Sequence, residues 1–196
     1  MGLTANVVAN APITATWGNE IRDRSVQNFA SVAERTAQWV SPPEGAVSYV
    51  RDVNQVHVYT GSAWVCITPV STVDNTTGTR TNVAYGDLGG SSVGPVVSLL
   101  TGTRALVYVQ ADFNASGGSE IVCVSFAISG ATTVAAADTD ALRMRAAAGT
   151  IMSFGGTFPV TGLTPGTNTF TMKYRADSGL TITAASRKLT VVGVPS

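Results

Sequence analysis

The sequence predicts a mainly β protein with a short helical region near its N-terminus. Two features of the chain of 196 residues support this, while its 12% of charged residues, against an average of about 25%, bears on its partners. Short runs rich in Val and Thr recur between Gly, Pro, Asn and Ser turns, a pattern typical of a β-sandwich or jelly roll. A helical periodicity is confined to the N-terminal part of the chain.

Residues 1–40 are predicted to combine an extended arm with one amphipathic helix. Leu3 to Ile13 is uncharged, and Pro12 opposes helix formation there. Beyond the arm, mostly apolar residues recur at spacings of four and three, which predicts a helix of about four turns. The members of this stripe are Trp17, Ile21, Ser25, Phe29 and Val32. Thr16 or Asn19 is the expected cap of the helix.

Residues 41–68 are predicted to form a small three-stranded β meander. A Pro-Pro-Glu-Gly break precedes it, and hairpin-like turns separate its strands. The expected strands are Ala46–Arg51, Gln55–Tyr59 and Ala63–Ile67. In the middle strand, Val56 and Val58 are expected on one face and His57 on the other. Because so small a sheet needs a covering partner, we expect Trp64 to pack against the apolar stripe of the helix.

The remaining residues are predicted to form a linker or loop, 69–94, and a jelly-roll β-sandwich, 95–196. The linker is rich in Thr, Ser, Gly and Asn. The clearest strands of the sandwich are Leu106–Val109, Ile121–Ile128, Thr167–Tyr174, Leu180–Thr183 and Leu189–Val192. The Ala-rich stretch Thr132–Ala148 fits either a helix or an excursion between strands, and the sequence leaves this open.

No constellation of residues predicts catalysis, a cofactor or a metal. His57 is the only histidine, and a structural or surface role fits it better than that of a catalytic base. Cys66 and Cys123 lack zinc spacing and are expected to be buried thiols. Asp138 and Asp140 lack the further oxygen donors of a calcium loop. We therefore expect a protein that is not an enzyme and holds no cofactor.

The charge balance restricts the partners of the chain. Lys and Arg number 12, as do Asp and Glu, so counterion release offers no affinity for nucleic acid. No run of about 18 apolar residues predicts a membrane span, and Met1 to Asn10 lacks the pattern of a secretory signal. With a mean hydropathy of +0.22, a monomer so poor in charge would be marginally soluble. We therefore expect burial against partner subunits, as a homotrimer.

Two stretches of the N-terminal region resemble small bacteriophage virion proteins. Trp17 to Asp23, followed by Phe29 and Ala33 to Arg35, resembles the opening of many of them. Pro43 to Gly45, leading to Val58 to Val65, is similar to a short β repeat of phage head-fibre, decoration and minor tail proteins. The resemblance implies a virion component, made in the host cytoplasm, whose partners are the major capsid protein or other virion proteins.

The C-terminal region resembles the last strands of a trimeric jelly roll of the tumour-necrosis-factor type. The resemblance lies in Thr164 to Gly166, Thr169 to Thr171, Tyr174, and Arg187 to Leu189. It implies that the sandwich assembles around a threefold axis.

Two functions fit these observations. In the first, the chain is a capsid decoration protein, anchored by its N-terminal region and projecting its jelly roll; Trp17, Ile21, Phe29 and Trp64 are its candidate packing and assembly residues. In the alternative, it is a minor tail or receptor-binding protein that contacts a host glycan through aromatic residues. The chain has no heptads or long repeat to build a shaft, which favours decoration. A glycan depolymerase is disfavoured because the acidic residues do not cluster.

Overall fold

The computed structural model describes residues 14–90 and 94–196. The predicted arm, Leu3 to Ile13, lies outside these ranges. Within them the chain is mainly β, with two short helices and 13 strands. The predicted fold class is confirmed.

The single helix predicted from Trp17 to Val32 is wrong, because two helices separated by a strand occupy this region. Helix α1 spans Ala15–Arg24. Its cap is Thr14, whose hydroxyl accepts a hydrogen bond from the Trp17 backbone N–H at 3.2 Å, instead of the predicted Thr16 or Asn19. The helix ends at Ser25, and none of its residues is buried.

A second capping signal explains the break. Strand β1, Gln27–Phe29, is followed by helix α2, Val32–Gln38. The Ser31 hydroxyl accepts a hydrogen bond from the Glu34 N–H at 3.1 Å, and the Glu34 carboxylate accepts one from the Ala30 N–H. This variant of the Ser-x-x-Glu capping box starts a new helix inside the predicted one.

The predicted meander is confirmed. Its strands are β2 (Val47–Val50), β3 (Gln55–Tyr59) and β4 (Trp64–Cys66). Strand β1 adds to it in parallel with β2, giving the order β1-β2-β3-β4, and α2 covers one face of the sheet. We call residues 27–67 the head.

The rest of the chain builds a two-layer sandwich. Its eight main strands are β5 (Val70–Asp74), β7 (Val96–Thr101), β8 (Arg104–Ala115), β9 (Ser119–Gly130), β10 (Leu142–Ala147), β11 (Met152–Thr161), β12 (Gly166–Ala176) and β13 (Ile182–Val194). The front sheet has the order β11-β8-β13-β5, and the back sheet β10-β9-β12-β7. Counted along the chain, these orders are 6-3-8-1 and 5-4-7-2. Interleaving of this kind is the double Greek key of a jelly roll.

Residues 69–94 are not the linker that was predicted. Strand β5 pairs antiparallel with β13, and β6, Gly78–Arg80, pairs with β13 farther along. The Arg187 side chain strengthens this pairing, since its Nη2 donates to Asp74 Oδ2 at 2.6 Å and to the Thr76 carbonyl at 3.0 Å. The jelly roll therefore begins near Val70, about 25 residues earlier than predicted.

Two further segments differ from the prediction. The predicted strand Leu189–Val192 and the last two residues of Leu180–Thr183 belong to the single strand β13, whose register shifts between Ala185 and Lys188. Ser186 lies in this bulge with a φ of 45°. The stretch Thr132–Ala148, which the sequence left open, is an excursion with one turn of 3₁₀ helix as far as Ala141 and then continues as strand β10.

The main core lies between the two sheets of the sandwich. Phe113 from β8 packs against Tyr174 from β12, with ring centroids 6.2 Å apart. Phe126 from β9 lies 6.1 Å from Phe170 of β12. All four rings are buried.

The head contacts one end of the sandwich through Val65. This side chain is fully buried and lies against Gly102 and Gly193. A β-carbon on Gly193 would lie 2.6 Å from a Val65 methyl carbon and 2.7 Å from the Cys66 carbonyl oxygen. Glycine is therefore required at position 193 for the head to approach β13 this closely.

Candidate assembly surfaces

The head encloses a buried cation. Arg35, the only buried residue of α2, is 1% exposed. Its Nη1 donates to Ser48 Oγ at 3.2 Å and to His57 Nδ1, and its guanidinium carbon lies 4.2 Å from the centroid of the Trp64 ring. Within the described ranges, no acid pairs with Arg35, and its Nε has no hydrogen-bond partner. Burial lowers the pKa of Arg35 to about 10.

His57 is the neutral partner of this cation. Because its Nδ1 accepts from Arg35, its Nε2 carries the hydrogen and donates to Gln55 Oε1 at 3.1 Å. Burial, helped by the positive charge of Arg35, lowers the pKa of His57 to about 4. The predicted alternation of β3 is confirmed, and the face that carries His57 is the more deeply buried one. His57 has a structural role.

Aromatic rings extend from the buried cation to the surface of the head. Trp64 lies 5.6 Å from Trp39 and 5.3 Å from Tyr59, measured between ring centroids. Trp39 in turn lies 6.1 Å from Phe29. Phe29 is buried, whereas Trp64, Trp39 and Tyr59 are half-buried. Trp64 therefore reaches Phe29 through Trp39, and does not cover Trp17 as predicted.

The four candidate packing residues divide between two environments. Phe29 and Trp64 join the interior of the head, as described above. Trp17 and Ile21 lie on α1, one helical turn apart; Trp17 is half-exposed, and Ile21 is 46% exposed. Their predicted burial against a partner stays a prediction. Sequence reasoning missed Arg35, although the Ser-x-x-Glu cap immediately before it would have placed it on a helix of its own.

The outer face of the front sheet is open and almost uncharged. In β8 the even-numbered side chains from Leu106 point outward, while their neighbours point into the core. Side chains paired across neighbouring strands form rows that cross this face. The three central rows are Pro159, Leu106 and Val192; Thr157, Tyr108, Thr190 and Ser71; and Gly155, Gln110, Lys188 and Val73. Lys188 carries the one charge in these rows. Arg104 borders them at one end and Asp112 at the other.

The outer face of the back sheet is partly covered by loops and carries ion pairs. Arg175 of β12 donates two hydrogen bonds to the Asp138 carboxylate, at 3.0 and 2.7 Å. Tyr85 donates to the same carboxylate at 2.7 Å, and Lys173 pairs with Asp87 at 2.7 Å. These bonds fasten the loop before β7 and the excursion before β10 to the sheet. The hydrogen bonds from Arg175 and Tyr85 lower the pKa of Asp138.

Residues 14–90 and 94–196 contain no group of three or more His, Cys, Asp or Glu side chains placed to hold a metal ion. Cys66 and Cys123 are free and buried, as expected. No helix within these residues is long and apolar enough to cross a membrane.

Comparisons with known proteins give remote similarity of structure alone. No protein-family model matches the chain, and no curated protein sequence matches it. The chain is similar to part of a structure of infectious bursal disease virus, Gx strain, with 13% identity and a TM-score of 0.43, over 70% of this chain and 37% of that one. It is also similar to the CBM22-1 xylan-binding domain from Paenibacillus barcinonensis Xyn10C, with 10% identity and a TM-score of 0.32, over 62% of this chain and 96% of that one.

A third similar structure contains the CBM22-1 and GH10 modules of Clostridium thermocellum xylanase 10B. Its identity is 13% and its TM-score 0.36, over 63% of this chain and 28% of that one. The chain thus spans about a third of the length of the viral and the clostridial proteins. Since these TM-scores are below 0.5, the jelly-roll assignment rests on the strand order of the chain itself.

Proposed function

We propose that the protein is a non-enzymatic structural component of a phage virion. In this proposal it is a homotrimeric capsid decoration protein, anchored by its N-terminal region and projecting its jelly roll. The observation that carries the proposal is the open, almost uncharged outer face of the front sheet. The sequence resemblance to virion proteins supplies the kind of particle.

The size of the front face suits a subunit contact. The four strands β11, β8, β13 and β5 contain 10, 12, 13 and 5 residues, which at about 3.4 Å per residue and about 4.8 Å between strands give roughly 650 Å² of surface. A standard protein interface buries about 800 Å² on each partner. The half-exposed Tyr108 at its centre, beside Leu106, is of the type enriched in interface cores, and the single Lys188 leaves little charge to desolvate.

A threefold ring needs a second, different surface on each subunit, because its contacts are heterologous. The seam between edge strands β10 and β11 offers one. Partly buried apolar side chains there pack on the core while remaining accessible; they are Leu142, Phe154, Phe158 and Val160. In the proposed trimer, the seam of one subunit lies against the front face of the next.

Matched charge insertions on the two sheets test the proposal. Leu106 on the front face and Val96 on the back sheet are equally exposed, at 40% and 38%. We expect Leu106→Glu to give monomers in light scattering, whereas Val96→Glu stays trimeric like the unmodified protein. Dissociation by Val96→Glu alone, or by neither substitution, would count against the front face as the contact.

Helix α1 supports the proposed anchoring. Its exposed Ile21 and half-exposed Trp17 form an apolar pair that stays accessible in the described part of the chain. We expect Trp17→Ala with Ile21→Ala to reduce co-sedimentation with capsids of the encoding phage at least tenfold, without changing the trimer. Glu20→Ala, on the same helix, is the control. Undiminished binding by the double variant would refute anchoring through α1.

The alternative function, glycan contact by a tail protein, has one specific observation in its favour. Trp39 and Tyr59 are half-exposed at the surface of the head, on either side of Trp64. Aromatic faces of this kind can stack on sugars. Copy number separates the two functions, since decoration proteins occur in hundreds of copies per particle and tail-tip proteins in a handful.

A further inference from the structure

Two basic side chains are in contact inside the head. The Arg35 guanidinium bonds to His57 Nδ1, and both residues are at most 1% exposed. The groups around them are uncharged: Ser48 on β2 bonds to Arg35, and Cys66 on β4 pairs opposite His57. Gln55 accepts the hydrogen of His57 Nε2. The contact is stable only while His57 is neutral.

We propose that this contact makes the head an acid-sensitive latch, in which protonation of His57 releases α2 from the meander. The proton comes from solvent and binds at Nδ1, the ring nitrogen that carries no hydrogen and whose lone pair accepts from Arg35. Nδ1 then becomes a donor, so Arg35 Nη1 loses an acceptor and faces a second positive charge. The proposal goes beyond the proposed function and does not depend on trimer formation or on a virion.

The packing of α2 explains why this helix is the part released. Arg35 is its only buried residue, and its remaining side chains contribute little burial. A helix of seven residues does not persist without tertiary packing. Arg35 Nε already lacks a partner, so loss of the bond to His57 leaves Ser48 as the one hydrogen-bonding partner of the guanidinium. The jelly roll has a core of its own and is expected to stay folded.

The acids of the head do not compensate this charge. The Glu34 carboxylate, on α2, is engaged with the Ala30 N–H and the Gln38 amide. Glu44 lies beside Gly61 at the turn between β3 and β4, and Asp52 is exposed in the turn between β2 and β3. Glu34 nevertheless offers a competing explanation of acid sensitivity, because its protonation would weaken the cap of α2.

The full-length protein provides a clean test, since His57 is its only histidine and it has three tryptophans. An NMR titration follows the His57 ring together with the indole N–H signals of Trp39 and Trp64. We expect His57 to titrate at least one pH unit below a free imidazole, and the two indole signals to shift with the same midpoint. Titration of His57 near pH 6.5, or without any change in the indoles, would overturn the latch.

Two substitutions separate His57 from Glu34. His57→Gln keeps an acceptor for Arg35 but cannot be protonated, so the indole transition should move to lower pH by at least one unit or disappear. Glu34→Gln should leave the midpoint in place. The reverse pattern would assign the acid response to the helix cap and overturn the proposal. If His57→Gln does not fold near pH 7, the titration of the unmodified protein decides.

Discussion

The two outer faces of the sandwich differ in the charged side chains that they carry and in the loops that lie over them. On the back sheet, loops lie over the strands and are fastened by the Asp138, Arg175 and Tyr85 network. On the front sheet, no described loop is fastened in this way, and three rows of side chains carry one charge, that of Lys188. The ion pairs of the back face therefore hold loops of the chain against the sheet.

This difference indicates which face is left for a partner. The charged groups of the back face are already paired within the chain, and a partner would have to displace or desolvate that network. The front face offers apolar and small polar side chains with little to desolvate.

The largest expected effect of pH is on the head. The pKa of His57 is lowered from 6.5 to about 4 in the folded state, so between these values the unfolded chain binds more protons. The stability contributed by neutral His57 is therefore present above about pH 6.5 and is lost as the pH falls toward 4. We expect a loss of about 3 kcal/mol for the head, measured by urea denaturation followed by tryptophan fluorescence. A head equally stable at the two pH values would contradict this.

Arg175→Met tests the network on the back face. The substitution removes the close ion pairs of Arg175 with Asp138 and Asp177, and within the described residues the only guanidinium left near these two acids is that of Arg143, at 3.9 and 3.8 Å. We expect the free energy of unfolding to fall by about 2 kcal/mol, reduced from the usual value for buried pairs because these acids are partly exposed. Lys188→Met on the front face is the control, with an expected change within about 0.5 kcal/mol. Chemical denaturation measures both. Equal losses would mean that the two faces do not differ as described.

Acid should loosen the back face in a lower pH range than the head. The pKa of Asp138 is lowered by its hydrogen bonds, so its contribution is present above the unfolded value of 3.8 and is lost as the pH falls through the lower folded value. We expect the Tyr85 ring resonances to change only below about pH 4, after His57 has titrated. A change of Tyr85 together with His57 would show that the two regions are coupled.

The smallest expected effect is that of Val73→Thr on the front face. This side chain is more than half exposed, so the substitution should change the stability of an isolated subunit by less than about 0.5 kcal/mol. In the proposed trimer the same position is covered, and dissociation on dilution should occur at a higher concentration. Fluorescence-detected sedimentation velocity over a dilution series measures this shift; unchanged dissociation would place Val73 outside the contact.

The sequence predicted strands best where alternation and turns agree. The range of β3, Gln55–Tyr59, was predicted to the residue. Strands β8 and β9 were also predicted, but both extend farther at each end than the predicted ranges Leu106–Val109 and Ile121–Ile128. Alternation reports local geometry, so it locates a strand without revealing its partner. The pairing of β5 with β13, more than 100 residues apart, has no local signal, which is why residues 69–94 were taken for a linker.

The failures in the head have a different cause. The apolar spacing from Trp17 to Val32 matches the period of one helix. The capping residues Ser31 and Glu34, however, mark the start of a second helix near the end of this range. The contact between Arg35 and His57 joins residues 22 positions apart, and a buried arginine without an acid runs against the usual pattern of exposure. Two of the proposed assembly residues, Phe29 and Trp64, were nevertheless identified as packing residues of this region.

The mass of the unmodified protein in solution tests the central claim most directly. Sedimentation equilibrium gives this mass without assumptions about molecular shape. If the front face is the contact of a homotrimer, the mass will be three times 20.1 kDa, about 60 kDa, at micromolar concentration and also in high salt, because an uncharged contact is not screened. A mass of 20.1 kDa under these conditions would contradict the proposal that the front face joins subunits.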